Sequence, residues 1–532
     1  MKRLWWITAL LGACSFYAPD AGDSAGRLPD PREAENLRFD ALADAYFAGY
    51  LASYPARATR LGVHDFDARF GILSRFAFDL RAAHLPGYLE RLRRVNADAL
   101  RPERRGDARL LRHRLEAEVL DLEGRCRWQR DPVFYTELLR DGILPLALVP
   151  SGPPDRRLAR IIDRLEQVRE VAAAARENLE TFPRVRAEAA LDELSALRDF
   201  VRAGLPALFA RELDASVRPR FDRAQRSALQ AFDELADRFS TALSEPAPGA
   251  FAWGEDLLRA WLLHEEMIDT PLDELLRSLE SEIPRVREEL RRAPRAPADS
   301  RGVFSDVAQV LEELRRRSAQ IVPLPADDPG LLRIDAHWSR RDGLAVELFA
   351  PGPFERERIR GALLVLSESA GVSGGSRLFQ VLAQETYPGR WVQSLYLSGS
   401  PSNLRAAFPS RAFVEGWARE AASQAVGSLS AAARARELTE LCRGVAALRM
   451  HARGMTPEEA AAFLVREAGL PPDDAALEVR RAALDPGIFL GPWGALAIRA
   501  LREEAAARLG LSARPFHRAL LSHGAPPLPF LR

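Results

Sequence analysis

Lysine is all but missing from this chain of 532 residues: Lys2 is the one lysine, and arginine carries the rest of the positive charge. Asp and Glu recur at neighbouring turns of the same segments, which marks the arginine excess as compositional bias. Net charge is missing too. Its 75 basic residues balance 75 acidic ones, so no overall field draws the protein to nucleic acid or to an anionic bilayer. Three cysteines are too few for a disulfide-rich scaffold. What is present is ordinary for a globular protein, with 47% hydrophobic and 28% charged residues. That balance excludes a disordered, collagen-like or multi-span membrane chain and supplies material for a large core. Length alone suggests about three domains, or fewer large helical ones.

Lys2 and Arg3 precede an apolar run from Leu4 to Ala13, too short to span the roughly 30 Å of a bilayer core and typical of a signal peptide. The run closes on Leu11-Gly12-Ala13-Cys14, which resembles the bacterial lipobox. That resemblance implies cleavage before Cys14, lipidation of its thiol and attachment to a membrane through acyl chains. Ser15, in place of Asp, implies sorting to the outer membrane, facing the periplasm. Residues 1–13 are therefore expected to be a lipoprotein signal peptide and residues 14–33 a small, polar tether. An oxidising compartment would permit Cys126 and Cys442 to pair, but sequence does not place them within the roughly 7 Å that bonding requires.

From Leu37 onward apolar residues recur at helical spacing, as in Ile161, Ile162, Leu165, Val168 and Val171. Breaks are expected at Pro55, Pro86, Pro150 to Pro154, Pro183, Glu245 to Gly249, Pro294 and Pro323 to Pro329. The stretch Glu245–Gly249 predicts a boundary between an N-terminal helical subdomain, 34–245, and a C-terminal one, 246–532. Gly343–Phe349 and Ala362–Leu366 read as short strands. The expected fold is mainly α, a large helical bundle with a small β-sheet.

Two segments carry the chemistry. Val381-Leu382-Ala383-Gln384-Glu385-Thr386-Tyr387-Pro388-Gly389-Arg390-Trp391 is followed by Phe413-Val414-Glu415-Gly416-Trp417-Ala418. Together with the opening Phe39–Asp44 and Ala58–Asp65, and the closing Glu478–Arg481, Pro486-Gly487 and Gly524–Pro529, they resemble the bacterial "domain of unknown function 885" family. Its members look like helical zinc metallopeptidases, with His-Glu-Ala-Tyr-Pro-Gly-His as signature and a later Phe-Val-Glu-Gly-Trp. The resemblance implies a zincin-like architecture around a central cleft, with 246–532 as its metallopeptidase-like part. It also implies that two imidazoles and a carboxylate hold zinc while the Glu beside the first His activates water.

This chain keeps the frame and loses the imidazoles. Gln384 stands where the resemblance has the first His, and Arg390 where it has the second. A carboxamide oxygen is a poor zinc ligand, and a guanidinium has no lone pair to donate. Zinc is therefore expected to be absent, with no cofactor in its place. Glu385 falls at the general-base position and is expected to be inactive; Glu415 falls at the third-ligand position. Arg390 either bridges the two carboxylates or points to solvent over a collapsed cleft. Gln384, Tyr387, Arg390, Glu415 and Trp417 are the candidate binding residues. The resemblance also has Glu-Gly-Trp-Ala-Leu-Tyr-Ala-Glu, where this chain continues Arg419-Glu420-Ala421-Ala422 and lacks the Tyr.

Other signals weigh less. Gly371-Val372-Ser373-Gly374-Gly375 fits a nucleophile elbow, with His451, His517 or His523 as bases, but the helical body upstream offers no parallel hydrolase sheet. His264-Glu265 begins like a zinc helix without a second His, and reads as an ion pair or cap. His64, His84, His113 and His337 are isolated. Trp391, Trp417 and Trp493 pack the core or wall a cleft. The expected function is an envelope lipoprotein and pseudopeptidase that binds a peptide or protein. The competing reading is a working hydrolase using an unusual metal site or Ser373.

Overall fold

The computed structural model describes residues 31–244, 251–293, 307–338, 346–366, 375–427 and 431–531. The expected signal peptide, Cys14, the expected tether up to residue 30, the expected boundary Glu245–Gly249, Pro294, the expected strand start Gly343–Ala345 and Ser373 lie outside them. The last three residues of the expected tether, 31–33, already belong to the helix Pro31–Ser53.

Helices dominate because apolar residues repeat every three to four positions with Arg and Glu between them. Arg218–Ser244 buries Phe221, Ala224, Ala228, Ala231, Phe232, Leu235 and Phe239, and packs on Pro154–Asn178 through Ile161, Leu165, Val168 and Val171. Proline opens the helices Pro55–Arg60, Pro102–Val119, Pro132–Leu148 and Pro154–Asn178, where its missing N–H costs nothing. Pro86 does not break its helix. Arg75–Arg93 runs straight through it, because Phe78, Ala82, Leu85 and Leu92 bury both halves on one core while Pro86 faces solvent.

The sheet has three strands: β1 (Leu331–Ala336), β2 (Val346–Phe349) and β3 (Gly361–Leu366), in the order β1-β3-β2. β1 runs parallel to β3, with Leu331 opposite Gly361; β2 runs antiparallel, with Val346 opposite Val365. The central strand Gly-Ala-Leu-Leu-Val-Leu is apolar throughout because both of its faces are covered. Ala362 and Leu364 join the cluster formed by the helices of residues 132–244, while Leu363 joins the cluster of the C-terminal helices. A third cluster sets Tyr46, Tyr50 and Leu111 against Met267, Leu404 and Phe408. Among the described residues no helix is long and apolar enough to cross a membrane. Cys126 and Cys442 are both free thiols.

Candidate functional site

The first segment folds as a helix, Gly375–Glu385, a turn, and a second helix, Arg390–Leu397. The turn doubles back so tightly that a Cβ at Gly389 would lie 1.9 Å from the Gln384 carbonyl oxygen, and only glycine fits. Gly389 N donates to the Ala383 carbonyl at 3.1 Å. Buried side chains fix the turn from two sides. Tyr387 Oη donates to Asp328 Oδ2 at 2.6 Å, and Trp391 Nε1 to Asp328 Oδ1 at 3.2 Å. Trp417 Nε1 donates to the carbonyls of Pro388 and Gly389 at 3.1 and 3.2 Å. Trp391 and Trp417 are almost wholly buried, so both indoles position the turn from inside.

The second segment lies on the helix Arg411–Val426. Its N-terminus is capped by Ser410 and by the buried Glu266, whose carboxylate accepts from Ser410 Oγ at 2.5 Å, Arg411 N at 2.9 Å and Ala412 N at 3.3 Å. This helix crosses Leu490–Leu509 at a glycine pair: a Cβ on Gly494 would sit 2.1 Å from the Ala412 carbonyl oxygen. A Cβ on Gly416 would likewise sit 2.5 Å from the Gly494 carbonyl carbon, so the close approach fixes the helix one residue from Glu415.

Glu385, Arg390 and Glu415 are brought together. Arg390 Nη1 donates to Glu385 Oε1 and Nη2 to Glu415 Oε1, so the planar fork spans both carboxylates. The pairing then continues. Arg419 Nη1 donates to Glu415 Oε2 at 2.7 Å and its Nε to Glu440 Oε2 at 2.8 Å. Arg436 Nε donates to Glu440 Oε1 at 3.0 Å, and its Nη2 to Gln384 Oε1 at 2.7 Å. Gln384 precedes Glu385 in the chain, so the circuit closes on the helix where it began. Three guanidiniums alternate with three carboxylates.

Burial pushes the Glu415 carboxyl up, but Arg390, Arg419 and Arg411 outweigh it and hold the group well below the usual carboxylate range. Glu440 is pushed up by burial and pulled down further by Arg419, Arg436 and Arg443, to about 2. Burial opposes the charge on Arg390, and Glu415 and Glu385 reverse that effect, so the guanidinium stays protonated. Chemically the circuit is self-neutralising, and its cationic members offer donors alone. Beside it opens a small cavity of about 80 Å³, lined by Gln380, Gln384, Arg419, Arg436, Glu440 and Leu496 among others.

Arg419, Arg436 and Glu440 were not singled out from the sequence. Arg419 carried a signal: it stands four residues after Glu415, where the resemblance has Leu. Arg436 and Glu440 showed only an i,i+4 pair on the helix Ala431–Ala452, like many others in the chain. His451 and His517 are core residues, their rings against the Ala482 carbonyl at 3.1 Å and the Ile321 carbonyl at 2.9 Å. Burial lowers both, His451 to about 4. His64 is paired on both nitrogens, with Asp67 at 2.8 Å and Glu355 at 3.1 Å.

A family model described as a bacterial protein of unknown function (DUF885) matches residues 55–345 and 375–532. A solved structure of a candidate lipoprotein of unknown function from Shewanella oneidensis is similar, with a TM-score of 0.68 and 20% identity over 93% of this chain and 98% of that one. A candidate lipoprotein from Colwellia psychrerythraea is similar with a TM-score of 0.71 and 15% identity over 94% and 98%. At such identities the likeness is one of fold. No functionally curated protein matches the chain.

Proposed function

This chain belongs to the DUF885 family of bacterial proteins, and from that membership we propose that it is an envelope lipoprotein with a degenerate metallopeptidase site, binding a peptide or partner protein without cleaving it. The observation that carries this reading is Arg390 held between Glu385 and Glu415. Zinc at this site would need lone pairs at positions 384 and 390. The donor set does not fit it: Gln384 Oε1 already accepts from Arg436, and a guanidinium beside a dication adds repulsion to lost coordination. Arg390 instead supplies positive charge where the resemblance implies a metal, and with Arg419 and Arg411 it holds the Glu415 carboxyl well below the usual carboxylate range.

Leu11–Cys14 and the descriptions of both solved relatives support lipidation at Cys14 and export. The test is a peptide library offered to the purified protein. The proposal expects retained peptides and no cleavage products. Cleavage that Glu385→Gln abolishes would overturn it, as would labelling by a fluorophosphonate that Ser373→Ala abolishes. For the anchor, Cys14→Ser is expected to move the protein from the membrane fraction to the soluble one.

A further inference from the structure

Where the helices Pro102–Val119 and Glu255–Glu266 pack together, three metal-type donors converge. His113 and Glu116 stand three residues apart on the first helix and so share a face; His264 comes from the second. One donor atom from each lies within 4.8 Å of the other two. Glu116 Oε2 is 3.0 Å from His264 Nδ1 and 3.9 Å from His113 Nδ1, and the two imidazole centroids are 5.9 Å apart. His113 is only 8% exposed. Both Nδ1 atoms are sealed from solvent; His264 Nδ1 faces the Glu116 carboxylate at ion-pair distance, while His113 Nδ1 makes no hydrogen bond. A buried polar atom without a partner is uncommon in a folded protein and calls for an explanation.

We propose that His113, Glu116 and His264 form a binding site for a first-row transition cation of the zinc class, separate from the circuit around Arg390. Metal–ligand bonds of roughly 2.0–2.2 Å around a tetrahedral ion set donors a little over 3 Å apart, and the 3.0 and 3.9 Å separations bracket that spacing. Two imidazoles with one carboxylate select zinc, cobalt or nickel over magnesium or calcium, which prefer oxygen. Neighbouring charges set the conditions. Glu265, next to His264, is held by Arg114 at 3.0 Å, so Glu116 is the carboxylate that meets the ion. Arg112 Nη2 lies 3.5 Å from His113 Nε2, at the limit of hydrogen bonding. Binding through Nδ1 puts the proton on Nε2, so the exposed Arg112 side chain must turn away. The ion would cross-link the two helices, two residues from Glu266, which caps the helix of Glu415.

The proposal does not depend on the pseudopeptidase reading, and its test separates the two. Full-length protein stripped with chelator is titrated with Zn²⁺ and with Co²⁺. One equivalent of Zn²⁺ is expected to bind and raise the melting temperature, Mg²⁺ is expected not to, and Co²⁺ should give the visible band of a tetrahedral nitrogen and oxygen site. His264→Ala, a part-exposed position, and the isosteric Glu116→Gln should each weaken Zn²⁺ binding on the order of 100-fold, since even outer-sphere partners cost 10–100-fold. Both should also remove the melting shift. Glu385→Gln should bind Zn²⁺ as the unmodified protein does. Absence of Zn²⁺ binding by the folded protein overturns the proposal. So does binding that survives in His264→Ala, or that Glu385→Gln removes.

Discussion

The circuit around Arg390 and the cluster around Glu116 are built from related residue types and differ in what each leaves unsatisfied. In the first, every link joins a guanidinium to a carboxylate or to the Gln384 amide. In the second, two imidazole nitrogens face one carboxylate, and that of His113 makes no hydrogen bond. The first lies in segments whose sequence resembles a metal-site frame, and the second offers only the His264-Glu265 pair, with no second His on that helix. The difference teaches that a frame positions side chains, whereas lone pairs bind ions.

The largest expected effect breaks the first region. Arg390→Ala leaves Glu385 and Glu415 facing each other in a part-buried site, and should cost about 3 kcal/mol in denaturant unfolding. Arg93→Ala removes an exposed arginine whose one ion pair among the described residues is with Glu90 at 3.7 Å, and should change stability by less than about 0.5 kcal/mol. Equal losses in the two variants would mean that Arg390 is not held as described.

Acid titration sharpens the comparison, because carboxylates in the same C-terminal helices respond in opposite directions. Burial and its Arg partners leave Glu440 at about 2, below the usual 4.5. Its contribution, with that of Glu415, is fully present above about pH 4.5 and is lost as pH falls toward 2. Glu266 is the reverse case. Burial raises it to about 7, against the hydrogen bonds from Ser410, Ala412 and Arg411. It therefore makes stability fall as pH rises from about 4.5 to 7. Unfolding measured across this range should show a maximum near pH 4 to 5, and Glu266→Gln should flatten its upper side. An unchanged upper slope in that variant would contradict the assignment.

Trp417→Phe keeps the buried ring and removes the two donations to the Pro388 and Gly389 carbonyls. The expected cost is about 1–2 kcal/mol, with amide exchange faster at Gly389 than elsewhere in the site. Uniform exchange would show that the turn is held without the indole.

Much of the fold was legible in the sequence because it rests on periodicity. The apolar spacing in 161–171 marked a buried helix face, and the unbroken run at 362–366 marked a strand covered on both sides. β1 escaped because Arg333 and Asp335 interrupt it. As an edge strand, it turns those two side chains outward, where they pair at 2.9 Å. Pro86 misled because a local rule about proline lost to burial of the residues on either side. In the site, the positions facing one another across the turn could be read from the motif frame, but Glu440, Arg436 and Asp328 could not. Their partners lie far away in sequence, and only tertiary packing brings them together. The same holds for His113, which reads as isolated, and for His264, which reads as an ion pair or cap and pairs with Glu116 from a different helix.

A carboxamide and a guanidinium at positions 384 and 390 are proposed to exclude the dication that imidazoles would bind. The most direct measurement is Zn²⁺ titration in a His264→Ala background, which removes the second cluster from the count, with and without Gln384→His and Arg390→His together. The account predicts no Zn²⁺ bound by the background protein and one equivalent once both imidazoles are introduced. An equivalent of Zn²⁺ bound by the background protein, and abolished by Glu415→Gln, would contradict it.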